Sequence, residues 1–252
     1  MDKTSIIELK KVTIKKPVLV EGLPGIGLVG KLAADHLIKS SKAERIADVI
    51  SPHFPHQVIM QKNGVMRMLK NRIYLIPGKK NDVLVLVGDV QAITSEAQYE
   101  VCGAILDWFE KKGGKTVITL GGYGTGKSPT TRRVFGSASH KTLISEYSKH
   151  GIVFGESRGS IIGVAGLLLG LGKLRGMNGA CLMGETHGAY VDPKSAQAVL
   201  EALSKVLDMK IDISKIEERA KKGEQFMKHM ERQAQKATEG ALPEKNELSY
   251  IR

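Results

Sequence analysis

Two glycine-rich segments carry the residue types that could bind a phosphate group. Glu21 to Gly30 follows the apolar run Val18 to Val20 and contains the spacing GxGxxG. Gly121 to Ser128 follows the apolar run 116–120 and has the spacing GxxxxGK[ST]. Both motifs are expected where a strand turns into a helix, because glycine permits close backbone approach there and a helix N-terminus attracts anions. Each motif by itself predicts a nucleotide-binding enzyme.

The first motif lacks the context that a dinucleotide requires. Such a site needs an acidic residue about 20 positions on, at the end of the second strand, to hold the ribose. That strand is predicted at Arg45 to Ile50, and its only acid, Asp48, is followed by two apolar residues. The first motif is therefore interpreted as a structural turn of an α/β sheet.

The second motif lacks a sustained helix and a magnesium-binding acid. A P-loop needs both, whereas Arg132 to Gly136 predicts an extended segment closed by glycine. Only Glu156 and Glu185 follow later apolar runs, each behind a glycine. A structural turn is favoured again, with no cofactor. The alternative is a nucleotide-binding enzyme that uses loop 121–128, and its phosphate-binding residues would be Gly121, Gly126, Lys127 and Ser128.

A further acid-base candidate is the segment Glu185-Thr186-His187, with Tyr190 and Asp192 close behind. It is expected in a glycine-flanked loop after a strand, where α/β enzymes keep acid and base groups. No serine or cysteine nucleophile at a recognisable elbow accompanies it, and Asp192 is explained as a helix cap. The sequence therefore predicts no catalytic residue, and the alternative of a cryptic site at Glu185 and His187 stays open.

Metal ligation and disulfide formation are not predicted. His53 and His56 are three residues apart, but the two prolines of the same segment prevent the helix that would aim both rings at one metal. Cys102 and Cys181 lie in apolar surroundings without CxxC spacing, which favours buried thiols.

The composition is that of a chain with a full hydrophobic core. It has 252 residues, of which 42% are hydrophobic, and a formal net charge of +12. The basic excess lies in residues 1–207 as dispersed pairs without an RNA-binding motif, and an acidic protein partner explains it as well as RNA does. RNA binding is the less favoured alternative, and it would predict a steep fall in affinity with salt. The longest apolar stretch, 161–171, is too short to span a membrane, and the N-terminus has no signal-peptide core. A cytoplasmic protein is expected.

Helix signals recur along the chain. A first helix is expected from Gly25 to Lys39. Ser95 with Gln98 predicts a capping box for a helix that runs to about Lys112, with Gly113 at its end. A later helix is predicted to begin at Asp192 as N-cap, with Pro193 at its first position.

Strand signals alternate with these helices. The dipeptide Asn63-Gly64 between apolar runs predicts an antiparallel hairpin. Further strands are expected at 72–76, 83–87, 152–154 and 180–183. The predicted fold class is α/β: a three-layer α/β/α domain with a mixed sheet over residues 1–207.

Behind this domain, apolar and small residues recur at heptad spacing over 208–240, preceded by a capping box of Ser214 and Glu217. This pattern predicts a projecting helix that self-associates in a bundle. A terminal helix packed on its own domain is the alternative, but it usually has a wider apolar stripe. The predicted oligomerisation residues are Ile213, Ile216, Ala220, Gly223, Met227, Met230, Ala234 and Ala237.

Residues 241–252 predict a flexible tail with an apolar end. A polar segment that ends in aromatic and aliphatic residues is typical of a peptide ligand whose terminal carboxylate a partner captures. A frayed end without a role is the alternative. The predicted partner-binding residues are Leu248, Tyr250, Ile251 and Arg252.

Three motifs, in order, resemble one family. They are the Glu-Gly-x-Pro-Gly-x-Gly-x-x-Gly-Lys loop of Glu21 to Lys31, the Gly-Gly-x-x-Thr-Gly of Gly121 to Gly126, and Gly184-Glu185-Thr186 followed by Asp192-Pro193. Together they resemble the family of proteasome assembly chaperone two, and in particular its archaeal, Pba-type members. The resemblance covers about residues 15–215.

The resemblance implies a fold like that of purine nucleoside phosphorylases without their catalytic residues. It also implies a non-enzymatic chaperone or adaptor that binds proteasome α subunits or the core particle, as a homo-oligomer held partly by a C-terminal helix. Whether another family member co-assembles with this chain is left open by the sequence.

The tail departs from the ending of some members of this family, which is hydrophobic-Tyr-any residue. Here Tyr250 is third from the end and Ser249 takes the hydrophobic place. One residue of extended chain shifts the carboxylate by about 3.3 Å relative to the ring. The paired docking of ring and carboxylate is therefore not predicted for this tail.

Overall fold

The structure is a computed structural model of the chain and describes residues 2–127, 129–156, 159–213 and 215–216. Its strands are β1 (Ser5–Glu8), β2 (Val18–Gly22), β3 (Glu44–Ile50), β4 (Val58–Met60), β5 (Met66–Met68), β6 (Asn71–Ile76), β7 (Val83–Gly88), β8 (Thr116–Gly124), β9 (Val134–Ala138), β10 (Ile152–Phe154) and β11 (Asn178–Thr186). Its α-helices are α1 (Val29–Ser40), α2 (Ser95–Lys111), α3 (Lys141–Tyr147), α4 (Val164–Leu174) and α5 (Pro193–Val206).

Nine strands form one mixed sheet in the order β1-β3-β6-β7-β2-β8-β11-β9-β10. The central neighbours β7, β2, β8 and β11 are parallel. On one side β6, β3 and β1 pair antiparallel, and on the other side β9 is antiparallel to β11. The central strands are almost continuously apolar because helices cover both of their faces. The predicted mixed sheet is confirmed.

Helices on both faces complete three layers. α1, α3 and α5 share one core with the sheet, and α2 and α4 share the other. Because strand side chains alternate between faces, neighbours such as Leu19 and Val20 enter opposite cores. The predicted three-layer α/β/α arrangement is confirmed.

The first helix begins later than the predicted Gly25. Residues Ile26–Leu28 form a short 3-10 turn in which Gly27 and Leu28 have positive φ angles of 60° and 51°. A left-handed residue cannot continue a right-handed helix, so α1 begins only at Val29. The GxGxxG segment is thus mainly a kinked turn.

The second helix has the predicted extent but a different cap. The Oγ1 of Thr94 accepts a hydrogen bond from the backbone N–H of Ala97 at 3.3 Å, so Thr94 is the N-cap and the predicted box of Ser95 with Gln98 is wrong. Ser95 already lies in the first helical turn. Gly113, with φ of 80°, follows the last turn as predicted.

The predicted hairpin is confirmed, but it does not join the main sheet. β4 and β5 pair antiparallel as a separate two-stranded sheet, and Gly64 in the turn has φ of 81°. The antiparallel pairing within the main sheet comes from other strands.

The chain after α5 packs on the domain itself. Ile213 is partly buried and Ile216 is only 1% exposed, and both contact the core formed by α1 and α5. The ring of His36 in α1 hydrogen-bonds the backbone carbonyl of Asp212. The packed unit therefore extends past residue 207, where the sequence analysis placed its boundary.

Candidate functional site

Loop 121–128 does not have the shape of a phosphate cradle. Gly121 to Gly124 belong to strand β8 and pair with the end of β11, and none of the described residues between 125 and 133 is helical. The N–H of Thr125 donates to the carbonyl oxygen of Thr186, at the end of β11, at 2.9 Å, and the N–H of Gly126 donates to that of His187 at 3.3 Å. The expectation that this motif lies at a strand-to-helix turn is wrong, because Gly121, Gly122 and Gly124 continue strand β8 and none of the described residues after them, up to 133, is helical.

Of the alternative phosphate-binding residues, Gly121 is therefore a strand residue. Gly126 lies in the loop with φ of 69°, and Lys127 is exposed beside it. Ser128 lies outside the described residues.

Three glycines of the two motif segments allow backbone segments to pack closely. A Cβ added at Gly22 would lie 2.5 Å from the carbonyl oxygen of Gly30, and one added at Gly30 would lie 2.1 Å from that of Leu120. A Cβ at Gly122 would lie 2.5 Å from the oxygen of Ile26. Protein backbone thus fills the space beside these glycines, which supports a structural role for them rather than phosphate binding.

Asp192 links Arg132 and the end of β11 to the start of α5. One carboxylate oxygen accepts a hydrogen bond from the N–H of Ser195 at 3.0 Å, as the predicted cap requires. The other accepts from the Thr186 hydroxyl at 2.9 Å and from Arg132 Nε at 3.1 Å. Because the side chain is buried and fully engaged, Asp192 is a structural carboxylate.

Glu185 lies on strand β11 and not in the predicted loop. Its buried carboxylate pairs with Arg133, whose Nε lies 3.2 Å from Oε2. The hydrogen bond and charge of Glu185 raise the pKa of the exposed Arg133, with a further contribution from Glu156. His187 stacks on Tyr190 with ring centroids 5.1 Å apart. The arginine thus engages the carboxylate that the sequence suggested as an acid or base.

Glu21 was missed as a candidate by sequence reasoning. Its side chain is 1% exposed; Oε1 accepts a hydrogen bond from the N–H of Leu23 at 2.7 Å, and Oε2 has no partner. Burial raises the pKa of Glu21 to about 7, against the effect of the Leu23 hydrogen bond. An acid at the end of an apolar run, directly before a glycine-rich segment, was the signal that could have identified it.

The two cysteines are free and buried, as predicted. Burial raises the pKa of both the Cys102 and the Cys181 thiol to about 12, and the charge of Glu21 adds to the effect. Thiols with such pKa values are poor nucleophiles near neutral pH.

A cleft of about 610 Å³ lies at the β9 end of the sheet, beside α4. Lys173 is the only charged residue among the described residues that line it. A cleft of this composition can hold an apolar group, but it offers no acid-base pair. Its large apolar residues are Tyr123, Ile144, Phe154, Ile161, Leu169 and Met183.

Most of the predicted oligomerisation and tail residues lie outside the described residues. Ile213 and Ile216 are described, and both face this chain's own helices. The others are Ala220, Gly223, Met227, Met230, Ala234 and Ala237 in the predicted helix, and Leu248, Tyr250, Ile251 and Arg252 in the tail.

Within the described parts of the chain, no three His, Cys, Asp or Glu side chains come close enough together to hold a metal ion. No described helix combines the length and the apolar character needed to cross a bilayer.

The model of the PAC2 family matches residues 19–231. PbaB of Pyrococcus furiosus, described as an archaeal proteasome activator, is 40% identical, with 92% of this chain and 100% of PbaB covered and a TM-score of 0.83. PbaA of the same organism, described as an archaeal homolog of proteasome-assembly chaperone, is 27% identical, with 93% and 99% covered and a TM-score of 0.77. An uncharacterized protein of Methanocaldococcus jannaschii is 37% identical over 241 residues, 94% of this chain and 93% of its own.

Proposed function

This chain belongs to the PAC2 family. We therefore propose that it is a non-enzymatic, oligomeric chaperone or adaptor that binds proteasome α subunits or the core particle. The observation that carries the proposal is the 40% identity to the archaeal proteasome activator PbaB over 92% of this chain. A similarity of that extent includes both faces of the sheet and both glycine loops.

The geometry at the carboxyl ends of the parallel strands supports binding rather than catalysis. A general acid or base must exchange a proton with a substrate, whereas the carboxylates of Glu185 and Asp192 are engaged by Arg133 and Arg132. A phosphate site needs free backbone N–H groups, and those of Thr125 and Gly126 bond to protein carbonyls.

The test is the mass of the complexes that form when the full-length protein meets purified archaeal proteasome α subunits and assembled core particles, with and without ATP. We expect a complex that does not depend on ATP. The component that binds would identify the stage of assembly. The absence of a complex with either component would contradict the proposal.

The nucleotide-binding alternative is tested by Lys127→Ala. If loop 121–128 held a nucleotide, loss of the ammonium group would weaken nucleotide binding and leave partner binding intact. We expect neither to change, because Lys127 is exposed beside a loop whose N–H groups are engaged. A nucleotide-binding signal that the substitution removes would favour the enzyme.

A further inference from the structure

The β4–β5 hairpin presents an apolar face to solvent. Its cross-strand pairs are Val58 with Met68 and Met60 with Met66, so these four side chains share one face. Their exposed fractions are 45%, 54%, 83% and 70% in that order. We call these four residues the methionine face. Exposed patches of large apolar side chains on a folded domain commonly mark interaction sites.

The other face of the hairpin fastens it to the domain. Ile59 packs against the core beneath α2 and α4. Arg67 makes two hydrogen bonds to the carboxylate of Asp89, and Arg72 contacts the same group. Although burial raises the pKa of Asp89, these arginines hold it below its usual value, so the pairs stay charged. The methionine face is therefore held in place before any partner binds.

Cations outnumber carboxylates in the hairpin and at its base. At the base of the hairpin, Arg67 and Arg72 share Asp89, while Arg45 and Lys70 share Asp48. Each carboxylate thus faces two cations. An exposed lysine, Lys62, lies in the hairpin turn, and the sequence between Asp48 and Asp82 contains no acidic residue.

We propose that the methionine face binds a partner protein through an apolar segment flanked by carboxylates. Methionine is unbranched and flexible, so it adapts to apolar side chains of different shapes. The cations at the base and turn would attract the carboxylates and would repel a second copy of the same face. The inference rests on the proposed function, because a chaperone or adaptor needs such a surface for its partner.

The direct test uses two synthetic peptides with the same apolar centre, one flanked by glutamates and the other by lysines. We expect the full-length protein to bind the glutamate-flanked peptide, more weakly at higher salt, and the lysine-flanked peptide at least about tenfold less tightly. The double variant Met60→Glu/Met66→Glu should bind the glutamate-flanked peptide at least about tenfold less tightly. Ile162→Glu is the control, because Ile162 is 87% exposed and precedes α4, outside the hairpin, and should not affect binding.

Thermal unfolding of each variant verifies that it is folded, and Met60→Ala/Met66→Ala replaces the glutamate variant if that one is not. The proposal is overturned if wild type fails to bind the glutamate-flanked peptide, if both peptides bind equally, or if the hairpin variant binds like wild type. It is also overturned if the hairpin variant lowers the oligomer mass, which would make a second copy the occupant. Binding to anionic lipid vesicles that the variant abolishes, without peptide binding, would contradict it as well.

The core particle separates this inference from the proposed function. Core-particle binding that the hairpin variant loses and Ile162→Glu keeps would assign the methionine face to that partner. If the variant loses peptide binding but still binds the core particle, the proposed function stands and the role of this face in it is overturned. If wild type binds the peptide but no proteasome component, the proposed function fails and the methionine face stands.

Discussion

At the scale of single residues, Glu21 is the group whose chemistry its surroundings change most. Its carboxyl group is buried, one oxygen has no partner, and burial raises its pKa to about 7. A buried carboxyl group is tolerated when neutral and costly when charged.

We expect Glu21→Gln to remove a pH dependence of stability. Between the ordinary pKa of 4.5 and the folded value of about 7, the folded chain keeps the proton and the unfolded chain has lost it. The free energy of unfolding therefore falls as pH rises through this window, by about 3 kcal/mol from this group. Urea unfolding of wild type and variant from pH 4.5 to pH 8 should show a difference that grows with pH.

Other groups titrate in both proteins, so the difference between the two profiles isolates Glu21. Parallel profiles across that range would show that the Glu21 carboxylate is stabilised when charged, contrary to the burial argument.

The glycines of the first motif give a second prediction at this scale. Gly30→Ala should destabilise the protein by about 3 kcal/mol or more, because the new Cβ would lie 2.1 Å from the backbone oxygen of Leu120. Gly25→Ala is the matched control: nothing lies within 4 Å of its added Cβ, so stability should change by less than about 0.5 kcal/mol. Denaturant unfolding measures both. Equal effects would contradict the view that close packing selects glycine here.

Among the secondary-structure elements, the start of α2 distinguishes the N-cap in the structure, Thr94, from the N-cap predicted from sequence, Ser95. Thr94→Ala should lower the free energy of unfolding by about 1 kcal/mol, because the N–H of Ala97 loses its acceptor. Ser95→Ala should have little effect, because Ser95 is inside the helix. Thermal or urea unfolding compares the two. If Ser95→Ala lowered the free energy of unfolding more than Thr94→Ala, Ser95 would be the N-cap, as the sequence predicted.

Elements were easier to predict than their ends. The hairpin at Asn63-Gly64, the strand 83–87 and α2 all have the predicted type, because periodicity and turn residues report burial along a segment. The start of α1 was missed since the left-handed conformation at Leu28 is imposed by packing around the loop, and Leu carries no local signal for it. Glu185 was placed in a loop because the sequence does not show how far β11 continues beside β8.

At the scale of the whole molecule, the described chain ends inside its own core. Deletion of residues 217–252 should leave a folded domain, because Ile216 remains, and should lower the oligomer mass if the predicted heptad helix carries assembly. Deletion of residues 209–252 is the control, and it should also reduce thermal stability, because it removes Ile213 and Ile216 from the core. Native mass and melting temperature test these together. An unchanged oligomer mass after deletion of residues 217–252 would contradict the prediction that the heptad helix carries assembly.

The fold class, the family resemblance that the comparisons confirm, and the buried thiols could all be predicted from the amino-acid sequence. They depend on periodicity, glycine spacing and the order of motifs, which can be read along the chain. The strand formed by Gly121 to Gly124, the pair of Arg133 with Glu185, and the burial of Glu21 with one oxygen unpaired became visible only in the folded chain. Each of these depends on which distant segments meet, because backbone pairing, charge compensation and desolvation are set by neighbours in space.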